Sequence, residues 1–274
     1  MKEYIEIIRP INCIMFFFAG LFCCYTVFKN IEVFFNYRVL FCSISLFFLS
    51  AGGHVINDYF DVKVDKINKP GKVLLLSKIK PKNALIFSII LFFISIITSS
   101  MINLRTLFLS IIMCILMIFY GKYSKKIKSV GNFIVSSIVS LILVYVMFTT
   151  DKIFPIVWII LPVFFVNISR EIAKDIEDVK GDRLISKSSF PLKLGIKTSS
   201  IISILFLILA FVLACIPYFF NVFNYQYFLV LLISLILLLY TSKEFLLQPQ
   251  KNANIYQKSL KAWMILGLIA ILVG

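Results

Sequence analysis

Hydrophobic and polar residues are segregated along this chain into long blocks, not mixed at a short period. Apolar stretches nearly free of charge cover 11–28, 38–57, 83–101, 104–121, 131–149, 153–169, 198–217, 226–242 and 260–274. Most have the roughly 17–25 residues that a helix needs to cross about 30 Å of hydrocarbon. Backbone groups in lipid must be bonded within their own segment, so the pattern predicts an all-α integral membrane protein of nine transmembrane helices. Turn signals punctuate it: Pro70-Gly71 after the second block, Pro81 before the third, Gly131 and Asn132 opening the fifth, Pro191 and Gly195 before the seventh. Pro155, Pro162 and Pro217 lie in or near apolar blocks, where kinks are tolerated once freed carbonyls find partners. Residues 1–274 read as one polytopic membrane domain with no soluble appendage.

Composition agrees, at 61% apolar against about 45–50% for soluble domains. The net charge of +15 invites a nucleic-acid partner, but its distribution argues against one. Of 28 lysines and arginines, 24 fall on one side of the expected membrane, leaving Lys29, Arg38, Arg105 and Lys152 on the other. The positive-inside rule then puts the N-terminus and the long basic loops in the cytoplasm of a multi-pass cell-membrane protein, and the C-terminus outside. A share of the charge is available to anionic substrates and lipid head groups. The segment Met1–Pro10 carries both signs of charge and no small-residue cleavage site follows, so the first block is expected to stay as a helix. All six cysteines lie in apolar blocks and His54 is the sole histidine, which argues against zinc.

The aspartates change the picture. Asp58, Asp61 and Asp65 are matched at a constant offset of 117 by Asp175, Asp178 and Asp182, leaving only Asp151 of the seven. The offset suggests a duplicated four-helix unit, helices 1–4 corresponding to 5–8, with a ninth added. On a helix, i, i+3 and i+7 share a face, so each triplet forms an acidic stripe. Asn57 and His54 extend the first toward the membrane, and Glu171 stands in the second where His54 stands in the first. Three like charges on adjacent turns beside lipid repel strongly. Mg2+ resolves this, since it takes one or two carboxylates together with waters and substrate phosphates. Two facing stripes would hold two or more Mg2+ with a diphosphate between them. Asp65 and Asp182, last in each stripe, are expected nearest to solvent. Arg9, at the start of the first helix, is placed to meet a phosphate or to anchor topology.

Asn57-Asp58-Tyr59-Phe60-Asp61-Val62-Lys63-Val64-Asp65 resembles the N-D-x-x-D-x-x-x-D signature of the UbiA superfamily of intramembrane prenyltransferases, and Asp175 to Asp182 resembles that family's second aspartate motif. Asn68 and Pro70 also fit. The resemblance implies a nine-helix fold, a prenyl diphosphate donor, Mg2+ as cofactor, and Asp58, Asp61, Asp175 and Asp178 as catalytic metal-binding residues. It further implies a phosphate-side cluster of Tyr120, Lys125 and Lys126, although Ser124 and not lysine stands four after Tyr120. Arg9-Pro10-Ile11-Asn12-Cys13 and Arg170-Glu171-Ile172-Ala173-Lys174-Asp175 are most similar to the archaeal branch that makes ether lipids. That similarity implies geranylgeranyl diphosphate as donor and the free hydroxyl of geranylgeranylglyceryl phosphate, a lipid phosphate, as acceptor. Lys66, Lys72, Arg183 and Lys187 are candidates for the acceptor's phosphate. Prenylation of an aromatic quinone precursor stays open as an alternative. A secondary transporter is more distant, because the acids lie at helix ends and the mid-helix blocks are uncharged. A CDP-alcohol phosphotransferase would need an Ala-Arg element that this chain lacks.

Overall fold

The computed structural model of the protein describes residues 2–68, 71, 78–123, 128–185 and 188–274. Among them the helices are α1 (Lys2–Ile7), α2 (Pro10–Phe28), α3 (Tyr37–Asn68), α4 (Pro81–Ser100), α5 (Leu104–Tyr123) and α6 (Lys128–Thr150). They continue as α7 (Val157–Glu177), α8 (Val179–Ile185), α9 (Phe190–Leu194), α10 (Ile196–Phe219), α11 (Tyr225–Leu247) and α12 (Pro249–Val273). Among the described residues, eight helices are long and apolar enough to cross a membrane: α2, α3 over Tyr37–Val62, α4, α5, α6, α10, α11 and α12. The remaining expected block, 153–169, supplies the first part of α7 from Val157 onward. The last turns of α7 carry Arg170, Glu171, Lys174, Asp175 and Glu177, which end its apolar run at Ser169.

α3, α6 and α12 run further than their apolar blocks in ways that bear on the site. α3 has 32 residues, about 48 Å at 1.5 Å per residue, so it continues past one hydrocarbon thickness and carries its acids beyond it. α6 starts at Lys128, ahead of Gly131 and Asn132, which therefore lie inside its first turns and do not open it. Its exposed backbone donors find partners across the chain. The Lys128 N–H donates to Ser188 Oγ at 2.9 Å and the Ser129 N–H to the Ser188 carbonyl at 3.2 Å. α12 starts at Pro249, well before residue 260, because Ala253, Tyr256, Ser259, Leu260 and Trp263 bury one face at helical spacing in an otherwise polar stretch.

The chain forms two compact units, Met1–Lys125 with Val144–Lys152, and Lys126–Leu143 with Ile153–Gly274. The division falls close to where the second copy of the duplicated helices should begin. In the first unit α3 packs against α2, α4 and α5. Gly52 and Gly121 permit close approach, since a Cβ would stand 2.6 Å from the Phe92 ring at the first and 2.8 Å from the Phe60 ring at the second. Ile7 of α1 and Cys13 of α2 join Ala51 and Val55 of α3 and Ala84 and Leu91 of α4 in one buried cluster, which fixes the N-terminal segment to α3. Deeper along α3, Ser45, Ser99 and the Tyr145 hydroxyl bond to one another at 2.7–3.0 Å, so the polar groups buried there are paired. In the second unit α7 packs against α10 and α12, and α11 against α12.

Candidate functional site

The first aspartate triplet sits on one unbroken helix, as its spacing requires. Asp58 and Asp65 are buried, at 2% and 6% exposure, and Asp61 is half-buried. A cation reaches Asp58 from 49 residues upstream: Arg9 Nη2 donates to Asp58 Oδ1 at 2.6 Å. Arg9 reaches it from a break between α1 and α2, where its backbone takes the left-handed conformation (φ 55, ψ 71) and Pro10 starts the next helix. That conformation costs a non-glycine residue about 1–2 kcal/mol. The buried cluster around Ile7 and Cys13 holds the break in place. One turn deeper, Asn12 Nδ2 pairs with His54 Nε2 at 3.3 Å. Tyr120 is half-buried on α5, next to the Gly121 that lies against Phe60, so it stands at the level of this triplet.

The second triplet straddles a helix break. Asp175 lies in the last turns of α7, Asp178 at the junction (φ −87, ψ 5) and Asp182 in α8. The ladder carries across, because the Asp178 N–H bonds to the Lys174 carbonyl at 2.9 Å and the Asp182 N–H to the Asp178 carbonyl at 3.1 Å. Asp175, Asp178 and Asp182 are 3%, 8% and 1% exposed. The expectation that Asp65 and Asp182 lie nearest to solvent is therefore corrected. Being last in a stripe does not expose a carboxylate when another element covers the turn.

Here the cover is the first turn of α6. Lys128 Nζ bridges Asp182 Oδ2 at 2.5 Å and Asp175 Oδ1 at 3.4 Å, and Asn132 Nδ2 donates to Asp175 Oδ2 at 2.7 Å. Neither Lys128 nor Asn132 emerged from the sequence as a site residue, although they are four apart and share a helix face. Each triplet receives a cation from near the start of another helix: Arg9, just before α2, on Asp58, and Lys128, in the first turn of α6, between Asp182 and Asp175.

The charge balance of the second triplet differs from that of its neighbour Glu171. Burial favours a neutral Glu171, but Lys174 and Arg170, each 3.1 Å from one of its oxygens, outweigh it and hold the carboxyl down to about 2. Asp175, beyond the apolar stretch 153–169, is pushed up to about 7 by burial despite Lys128 and Asn132. Asp182 is also raised by burial against the pull of Lys128. Glu171 is therefore compensated and the Asp175–Asp182 pair is not. Buried carboxylates short of positive charge, with oxygen as their only donor atom, fit a hard divalent cation. Among the described residues no three acidic, histidine or cysteine side chains converge into a complete metal cage. Mg2+ that shares a substrate's phosphates needs only one or two carboxylates from the protein, so the donor set is sufficient.

The remaining expected residues divide clearly. Asn57 is half-buried on α3, and Lys66 and Arg183 are exposed, Arg183 in the last turn of α8. Asn68 ends α3, with its side chain outside the described residues, as are Lys72, Lys125, Lys126 and Lys187. The seventh aspartate, Asp151, belongs to neither triplet. It is paired with Arg105 and, at 3.7 Å, with Arg38, two of the four basic residues of the sparsely charged side.

The profile of the UbiA prenyltransferase family matches residues 13–265. A digeranylgeranylglyceryl phosphate synthase from Methanocaldococcus jannaschii is 34% identical over 275 residues, covering 100% of this chain and 96% of that protein. A solved structure concerned with digeranylgeranylglyceryl phosphate synthase in membranes superposes with a TM-score of 0.76 at 32% identity, over 100% of this chain and 97% of the other. The fold is also that of a UbiA homolog from Archaeoglobus fulgidus bound to DMAPP and Mg2+, with a TM-score of 0.61 at 13% identity, over 98% and 99% of the two chains.

Proposed function

This chain belongs to the UbiA prenyltransferase family, and from that premise we propose that it moves a geranylgeranyl group from geranylgeranyl diphosphate to the free hydroxyl of geranylgeranylglyceryl phosphate. It is a multi-pass membrane prenyltransferase. The reaction forms the second ether bond of an archaeal lipid, depends on Mg2+, and takes place at the cytoplasmic face of the cell membrane. The observation that carries this reading is the two oxygen-only aspartate triplets, five of whose six members are buried, with Arg9 on Asp58 and Lys128 between Asp175 and Asp182. The choice of acceptor rests on full-length likeness to digeranylgeranylglyceryl phosphate synthase.

Mg2+, when bound, supplies Lewis-acid and electrostatic stabilisation of the departing diphosphate. Asn57, Asp58, Asp61 and Asp65 would hold metal through their oxygen atoms, and so would Asp175, Asp178 and Asp182. Arg9, paired with Asp58, and Lys128, between Asp175 and Asp182, would supply positive charge for phosphate oxygens beside these aspartates. Asn68, Tyr120, Lys125, Lys126 and Arg183 are assigned to the substrate phosphates. The allylic C–O bond breaks with its electron pair leaving on the diphosphate, and the acceptor hydroxyl oxygen forms the new C–O bond. The hydroxyl proton departs late, to a carboxylate of the triplets or to the released diphosphate, so no separate base is assigned.

Purified protein with Mg2+ and geranylgeranyl diphosphate, offered geranylgeranylglyceryl phosphate and 4-hydroxybenzoate in parallel, tests this directly. Transfer to the glyceryl phosphate alone is expected. Transfer to the hydroxybenzoate alone would move the enzyme to quinone biosynthesis, and ion-dependent flux in proteoliposomes without any prenyl transfer would make it a transporter.

A further inference from the structure

α12 is the helix that a four-plus-four duplication leaves over, and its polar first turns grip the second aspartate motif from behind. Glu177, the last residue of α7, accepts hydrogen bonds on both oxygens: from Asn254 Nδ2 at 3.0 Å and from Gln257 Nε2 at 2.7 Å. The two amides are three apart and share a face of α12. Between them Tyr256 is fully buried, with its hydroxyl 3.2 Å from Ser169 Oγ and its ring stacked on Phe245 at 4.2 Å. α12 therefore holds α7 at Ser169 and at Glu177, one on either side of Asp175. Residues two apart on a helix point to opposite sides, so Glu177 faces away from the side that Asp175 presents to Lys128. It also stands immediately before the break at Asp178, where α8 sets off with Asp182.

We propose that Asn254 and Gln257 are positioning residues for the second metal motif, acting through Glu177 to fix the α7–α8 elbow and so the mutual placement of Asp175, Asp178 and Asp182. The proposal rests on the reading of that triplet as a Mg2+ site. Groups that orient metal ligands from behind typically change metal affinity by 10–100-fold when altered. The elbow is where such leverage exists, because a helix interior would hold its own direction while a junction between two helices does not.

Mn2+ binding, read by electron paramagnetic resonance on the purified full chain with inorganic pyrophosphate present, gives a readout independent of turnover. Asp178→Ala serves as the control for the metal reading, and thermal unfolding is followed in parallel. Gln257→Glu sets a second carboxylate against Glu177 and is expected to raise the Mn2+ concentration for half-saturation roughly tenfold or more, with little change in unfolding temperature. Glu177→Gln combined with Gln257→Glu restores an amide–carboxylate pair with donor and acceptor exchanged, and is expected to recover most of the affinity. If wild type binds and Asp178→Ala does not, unchanged affinity in Gln257→Glu would overturn the clamp and leave the metal site standing. A loss that the exchanged pair fails to recover would also overturn it. Wild type and Asp178→Ala binding Mn2+ equally would remove the metal reading and the clamp with it.

Discussion

Asp58→Ala, Asp61→Ala, Asp175→Ala and Asp178→Ala should each cut prenyl transfer by roughly a thousandfold or more while the protein still inserts and folds. Electrostatic groups aimed at developing charge are worth about a hundred- to a thousandfold singly, and loss of a metal ligand removes both the ligand and part of the metal's occupancy. Folding should survive the loss of Asp175, because Lys128 keeps Asp182 as a partner. Asp175 is raised to about 7 by burial even with Lys128 and Asn132 beside it, so its removal relieves as much as it breaks. Asp175→Asn separates charge from shape, since it keeps an oxygen for Asn132 yet should lose transfer just as fully. Asp151 provides the internal control. It is the one aspartate outside the triplets and is paired with Arg105 and Arg38, so Asp151→Asn should retain transfer within a few-fold. Activity and unfolding temperature measured on the same preparations decide the matter. Equal losses at Asp151 and Asp175 would mean that the triplets serve folding and not chemistry.

The second large effect is expected at Lys128. Its side chain is 23% exposed and bridges two carboxylates that are 5% and 2% exposed. Removing one partner of a buried ion pair typically costs about 3–5 kcal/mol, because the remaining charge is left without compensation. Lys128→Met should therefore unfold at a markedly lower temperature than wild type in EDTA. Mg2+ should then raise the unfolding temperature of the variant more than that of wild type, because in the variant the metal restores the missing positive charge. A Mg2+ effect in the variant equal to or smaller than in wild type would show that Asp175 and Asp182 are not metal ligands.

Much of this was legible in the chain before any coordinates. The apolar blocks locate the membrane helices because hydrocarbon thickness sets a length that composition alone reports. The triplets announce themselves because the same helical spacing recurs in them at a constant offset of 117. What escaped notice has a common cause. α12 begins early on Ala253 and Tyr256, since an amphipathic turn next to a membrane span lacks a continuous apolar run. Asp182 is covered by Lys128 from outside its own helix, which a stripe on one helix does not disclose. Lys128 and Asn132 reach Asp175 from 47 and 43 positions away, so no local spacing links them to it. Arg9 was visible as a candidate at the first helix, but its partner Asp58 depends on a left-handed turn held by the cluster around Ile7, which is a tertiary property. Seven lysines lie between residues 58 and 82, and a local reading does not single out Arg9, 49 residues away, as a cation on Asp58.

The most direct measurement is prenyl transfer by the purified wild-type protein after EDTA treatment, with geranylgeranyl diphosphate and geranylgeranylglyceryl phosphate supplied, before and after Mg2+ is returned. Transfer should be absent in metal-free buffer and recover as Mg2+ is added, with the same addition failing to recover it in Asp175→Asn. Full transfer in metal-free buffer would contradict the assignment of the two aspartate triplets to a metal-held diphosphate.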